Sequence, residues 1–297
     1  MPKAKNMGRA IFTIVALFPP LVITIAFLAV PAIRAFFLSF TDANALGIGG
    51  VDFIGLENYR YMFSDQVFIK AFVNTLVLLV AVPVVTIAVS LVLAEILNRS
   101  GLKEAAFYRT VFFFPSIISL TVVAIVWSFI FHPTLGLVNT MLDALHLSAL
   151  KHSWLGDAST ALASVGFTLV WQAAGYYMVM LLAAISSISR DYYEAATIDG
   201  ASAIRQFFCI TLPEISGIII ITLILSMSGT LNLSFTLTTI MTNGGPNNAS
   251  LVLLKYIYNQ GMTNGNFGYA MAMTVFTLGF TIILSIVVQK VQRRAEG

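Results

Sequence analysis

Trp171, Gln172, Tyr176 and Tyr177 interrupt a long apolar run with an amide, two hydroxyls and three aromatic faces. Gln172 and Tyr176 are four apart, so a helix puts them on one side. An amide and a phenol can exchange hydrogen bonds with a polyhydroxylated solute, and an aromatic ring can cover its apolar face. A later apolar run carries Thr222, Ser226, Thr230, Ser234 and Thr238 at four-residue spacing, with Asn232 beside them. Polar side chains in apolar spans usually face a cavity or a bundle interior. Ser and Thr there also serve close helix packing or bond their own backbone. The stripe drifts by about 40° per step, so it cannot all face one opening. Neither run contains Lys, Arg, Asp or Glu, which favours a neutral solute over an anionic one.

Covalent chemistry has no comparable foothold. Cys209 is the single cysteine, so an intrachain disulfide and a Cys-based metal site are excluded. His132, His146 and His152 lack metal-ligand spacing with carboxylates and read as loop residues. No nucleophile–base pair suggests a catalytic residue, and no G-x-x-x-x-G-K-[ST] sequence occurs to cradle phosphates. We therefore expect no catalytic residues, no metal and no bound cofactor. Any ATP and Mg would sit in a partner ATPase.

The elements that must position these groups are membrane spans. Hydrophobic residues make up 58% of the 297 and charged ones 10%, against about 25% charged in soluble domains. Apolar runs fall near 11–33, 72–97, 107–131, 161–188, 215–241 and 267–289. Each exceeds the roughly 20 residues a helix needs to cross hydrocarbon. The expected fold is an all-α six-transmembrane-helix bundle, one domain over 1–297, because backbone groups in lipid must be satisfied within their own segment. Pro19-Pro20 either kinks the first helix or delays its start. The basic N-terminus with Lys3, Lys5 and Arg9 precedes a run too long for a signal peptide, so a retained span is expected.

Lys and Arg set the orientation. With the N-terminus inside, Lys3, Lys5, Arg9, Arg99, Lys103, Arg109, Arg190, Arg205, Lys290, Arg293 and Arg294 fall on the cytoplasmic side. Only Arg34, Arg60, Lys70, Lys151 and Lys255 fall outside. Both termini and the polar segment 189–214 are then cytoplasmic. In that segment Asp191 and Glu194 have the form of a capping box, which starts a short helix at Tyr192. Gly200 stops it. A second short helix from Ser202 would set Ile204, Phe207 and Phe208 against the core, and Pro213 suits the first turn of the fifth span.

The spacing Glu194-Ala195-Ala196, three residues, Gly200, nine residues, Ile210-x-Leu212-Pro213 resembles the EAA coupling loop of ABC-importer permeases of type I architecture. Gly244-Gly245-Pro246 after Thr242 resembles a loop of carbohydrate permeases of the maltose and glycerol-phosphate type. Ser39-Phe40-Thr41-Asp42 and Gly55-Leu56-Glu57-Asn58-Tyr59 resemble their first external segment. The extra N-terminal spans and large external domain of the maltose subunit are absent from this sequence.

The resemblance implies that Glu194, Ala195, Ala196, Asp199, Gly200, Ile210, Leu212 and Pro213 engage the ATPase. It implies a solute path at Trp171, Gln172, Tyr176, Ser226, Thr230 and Asn232, and a loop facing the binding protein at Gly244, Gly245 and Pro246. The implied partners are a second homologous permease, two ATPase subunits, an extracytoplasmic solute-binding protein, a sugar and membrane lipid. No nucleic acid is implied, and the place is the multi-pass cytoplasmic membrane of a bacterium or archaeon. A glycerol-phosphate or other polar-solute importer is the alternative. An ATP-independent carrier would need intramembrane acids, and Glu95, near the end of its span, is the single acid within one.

Overall fold

The computed structural model describes residues 2–44, 51–99 and 104–295. Its helices are α1 (Pro2–Thr24), α2 (Val30–Leu38), α3 (Glu57–Ser64), α4 (Gln66–Arg99), α5 (Ala105–Ile117), α6 (Leu120–Ile130) and α7 (Leu137–Ala144). They continue with α8 (Ala161–Ser186), α9 (Arg190–Ile198), α10 (Ala203–Gln206), α11 (Leu212–Glu214), α12 (Ser216–Met241), α13 (Leu253–Tyr258) and α14 (Phe267–Ala295). Gly47, Gly49, Gly50 and Lys103 lie outside the described residues. Among those described, the only bridge between extended segments joins Thr41 and Phe53.

Five helices are long and apolar enough to cross a membrane, and α5 with α6 makes a sixth when counted as one span. The all-helical expectation is met, with two local corrections. Pro19 and Pro20 do not delay the first helix, which runs through them from Pro2. The irregularity is a π turn at Ile25–Ala29 that carries the rod on into α2. The third span is not one helix, because α5 and α6 meet at 98°. Ile118 and Ser119 between them are extended, with ψ of 142° and 130°. Pro115 removes one helical donor, and β-branched Ile117 and Ile118 favour extended backbone at the join. A broken span is tolerated in lipid where protein or a water-filled path covers the freed backbone groups.

Contacts divide the chain into two compact units, Met1–Asp65 with Ile257–Ile282 and Gln66–Tyr256 with Ile283–Gly297. In the first unit the segments 39–42 and 55–59 form one clasp. Asn58 Nδ2 donates to the carbonyls of Ser39 (3.0 Å) and Thr41 (2.8 Å), and the Ser39 and Tyr59 hydroxyls share a hydrogen bond of 2.8 Å. Tyr269 donates to Asp65 at 2.7 Å. From Phe12 to Phe37 the described side chains are mostly exposed, including Phe27 and Leu28 of the π turn, an apolar surface suited to lipid or a partner helix.

In the second unit α4 and α8 lie side by side, α12 packs on both, α5 lies on α8 and α6 on α12. Helix α4 has 34 residues and is about 50 Å long, so it outreaches the hydrocarbon. Two buried clusters sit along this group, one around Leu78, Trp127, Leu169 and Leu237, the other around Ile87, Tyr177, Leu181 and Ile215. Between them α8 is gripped by its backbone. Ser90 Oγ donates to the Ala174 carbonyl at 2.7 Å and Ser116 Oγ to the Gln172 carbonyl at 3.0 Å. Gly175 lies so near the Phe112 carbonyl that any Cβ would overlap it. Close approach of this kind is how helices associate where lipid supplies no hydrophobic drive.

Candidate coupling site and solute path

The segment after α8 is built from local rules. Ser189, not Asp191, is the cap, and its hydroxyl accepts from the Asp191 amide at 3.3 Å. The start is two residues earlier than expected, so Glu194 is too far along α9 to reach back. It projects from the surface. Asp191 falls in the first turn, where a carboxylate suits the helix dipole. The stop is as expected: Gly200 has φ of +77°. Its amide donates to Thr197 O (3.0 Å), and the Ala201 amide donates to Ala196 O (2.8 Å), the paired bonds of a Schellman ending.

Ser202 caps α10 by accepting from the Arg205 amide. A π turn, Phe207–Thr211, then leads into α11. This turn changes which side chains face inward. Gln206 and Thr211, five apart, are buried, whereas Ile204 and Phe208 are 72% and 61% exposed. Residues five apart share a face in a π turn and not in an α-helix. The expectation that Ile204 and Phe208 pack on the core is therefore corrected. Pro213 lies in α11, and the break at Ile215 separates it from α12.

Residues that the motif does not name hold the segment in place. Arg99, at the end of α4, is paired with Glu95, donates to Gln206 Oε1 at 3.0 Å and lies 5.4 Å from the Tyr193 ring centre. Gln206 Nε2 donates to Thr197 Oγ1 (3.0 Å) and Ala201 O (3.2 Å). The Tyr193 and Thr211 hydroxyls share a hydrogen bond of 2.9 Å. The outer surface offers Glu194, Ala195, Asp199 and Gly200 together with Tyr192 and Ile198, the latter 87% exposed. Ala196, Ile210 and Leu212 are partly buried, and Pro213 is exposed. Short residues framed by exposed apolar ones make a surface that a partner can approach closely.

The residues expected along a solute path separate into two sets. Trp171 and Tyr176 are exposed and Gln172 is half-buried, all on α8. The Trp171 ring meets Trp127 edge-on at 5.3 Å, and Tyr176 meets Tyr177 at 5.1 Å. Ser226 and Thr230 are buried with the rest of the stripe, Thr222, Ser234 and Thr238. The stripe drifts yet stays buried because α12 is packed by α4, α8 and α6 together. Asn232 is two residues past Thr230, about 200° around the helix. It is exposed, and its amide bonds the Ser228 carbonyl of its own helix.

In the loop after α12, Gly244 has φ of +88° and packs on Leu251. Gly245 and Pro246 are partly buried, and Asn243, Asn247 and Asn248 are the exposed members. The loop is fastened to the start of α4. Asn74 Nδ2 donates to the carbonyls of Asn248, Ala249 and Leu251, at 3.2, 3.1 and 2.9 Å. Thr75 Oγ1 accepts from the Leu253 amide at 2.8 Å, and Lys70 donates to Asn247 O at 2.8 Å. An asparagine and a threonine opening an otherwise apolar span were the available sequence signal. Among the described residues no group of His, Cys, Asp and Glu is arranged to hold a metal.

A family model described as binding-protein-dependent transport system inner membrane component matches residues 68–297. The probable ABC transporter permease protein YurN of Bacillus subtilis is 36% identical over 272 residues, covering 91% of this chain and 92% of that protein. The diacetylchitobiose uptake system permease protein NgcF of Streptomyces coelicolor is 32% identical over 301 residues, covering 98% of this chain and 85% of that protein. A solved bacterial ABC transporter involved in the import of the acidic polysaccharide alginate has a chain of like fold. Its TM-score is 0.84, with 24% identity over 99% of both chains.

Proposed function

Because the chain belongs to the binding-protein-dependent transport system inner membrane components, we propose that it lines part of the membrane path of an ATP-driven importer for a neutral sugar or oligosaccharide. A separate ATPase takes hold of the segment Glu194–Pro213. The observation that carries this reading is the geometry of that segment. A capped, Schellman-terminated helix presents Glu194, Ala195, Asp199, Gly200 and Ile198 outward, while Arg99 and Gln206 bind its inner side to α4. A push on α9 is thereby delivered to a helix that runs the depth of the membrane. Nucleotide-dependent closure of the ATPases would rock the spans between inward- and outward-open states as rigid bodies.

The bias of Lys and Arg supports a cytoplasmic position for this segment and for both termini. A second, similar permease, two ATPase copies and an external binding protein complete the assembly, and the binding protein meets the loop at Gly244–Pro246. ATP and Mg are bound by the ATPases. Trp171, Gln172 and Tyr176, beside the break between α5 and α6, and Asn232 on α12 supply rings, amides and hydroxyls for a sugar. Discontinuous spans are where transporters commonly hold solute. The absence of charged side chains from α8 and α12 favours a neutral sugar over glycerol phosphate.

Replacing Gly200 or Glu194 with Trp tests the reading in the reconstituted importer. Uptake should fall by about tenfold or more, equivalent to about 1.4 kcal/mol, while ATP hydrolysis persists. Undiminished uptake would overturn it.

A further inference from the structure

Beside α9 runs an open cleft of about 690 Å³, bordered by the ends of α4 and α8, the start of α5, and α10, with the exposed Glu194 and Ile198 of α9 also lining it. Arg99, Arg109 and Arg190 line it, from three different helices, with the polar side chains of Asn98 and Ser186 between them. Glu194 is the one carboxylate in the wall. Arg99 is neutralised by Glu95 and held by Gln206. Arg109 and Arg190 have no ion-pair partner among the described residues. A concave site of net positive charge, with arginines supplied by separate elements, is matched to an oxyanion that accepts several N–H bonds at once.

We propose that this cleft binds a phosphate-bearing anion, either an anionic phospholipid headgroup or a free phosphate from the cytosol, and that the bound anion steadies α9 against α4. Basic pockets between spans on the cytoplasmic side are suited to anionic headgroups. The effect on α9 rests on the coupling role proposed above; the binding does not.

The test uses the assembled importer in nanodiscs. One arm compares phosphatidylglycerol with phosphatidylcholine discs and counts retained lipid by native mass spectrometry. The other titrates radiolabelled inorganic phosphate in phosphatidylcholine discs. Removing both free guanidiniums in R109Q/R190Q should weaken the bound anion by about thirtyfold. R109K/R190K, which keeps the charge but not the fork of N–H donors, should bind more tightly than R109Q/R190Q and more weakly than wild type, and controls for assembly. Loss confined to phosphatidylglycerol identifies the lipid source, and loss confined to phosphate the soluble one. Equal binding by wild type and R109Q/R190Q in both arms, including no binding by either, overturns the proposal. Binding is read without uptake, so a failure here is distinct from a failure of coupling at Glu194.

Discussion

Arg99 Nη1 donates to Gln206 Oε1 across 3.0 Å, joining residues 107 apart in sequence. The bond ties the end of α4 to the short helix that follows α9. It crosses the gap between a membrane-spanning element and the element we assign to ATPase docking. Gln206→Ala removes the acceptor and also frees Thr197 Oγ1 and Ala201 O. Losing a hydrogen bond to a charged group costs about 1.5–3 kcal/mol. Sugar uptake should drop severalfold with ATP hydrolysis retained, and Gln206→Glu, which keeps the acceptor for Arg99 but loses the donor to Ala201 O, should recover only part of the uptake.

Asn74→Ala should loosen the loop 243–252 without disturbing the spans. The variant leaves three carbonyls short of a donor, and each net hydrogen bond contributes about 1 kcal/mol. Hydrogen exchange of the Asn247–Leu251 amides should accelerate. If that loop faces the binding protein, the ATPase stimulation that the binding protein causes should weaken as well.

Gly175→Val should separate α5 from α8. The added carbons have no room beside the Phe112 carbonyl, and overpacking of this kind costs about 1–3 kcal/mol. A lower melting temperature in detergent is the expected readout. Gly217→Ala is the matched control, because no atom stands within 4 Å of a Cβ there.

The spacing of Glu194, Ala195, Ala196 and Gly200 was legible because glycine past a helix end and small residues on a short helix have local causes. Gln206 was not. A glutamine on a short polar helix is ordinary, and its burial depends on a π turn and on an arginine supplied by a distant span. The break at Ile118–Ser119 was hidden because hydropathy averages over it, although Pro115 and the β-branched pair carried a signal. The Ser226–Thr230 stripe could be read as path or as packing. Its burial depends on which neighbours α12 meets, which no single helix encodes. Asn74 stood out as polar in an apolar run, but its three acceptors lie more than 170 residues away.

In the segment between α7 and α8, Lys151 Nζ donates to Asp143 at 2.6 Å, and Ser148 donates to the same carboxylate at 2.9 Å. The Lys151 bond, then the Ser148 bond, hold the Asp143 carboxyl below its ordinary value of 3.8. A depressed carboxylate contributes its stabilisation above the unfolded value and loses it as pH falls through the folded one. Protease sensitivity of residues 143–151 should therefore stay flat from neutral pH down to about pH 4 and rise only below it. The Asp143→Asn variant should remove that acid step.

The central claim, that the surface around Asp199 is gripped by an ATPase from the cytosol, is tested most directly by a single cysteine there. Cys209 is exposed, so the host chain would be Cys209→Ser carrying Asp199→Cys. We predict that a membrane-impermeant maleimide reacts only in inside-out vesicles, and that a short bifunctional maleimide captures the co-purified nucleotide-hydrolysing subunit. Labelling from the external face, or labelling from the inner face with no ATPase captured, would contradict the account.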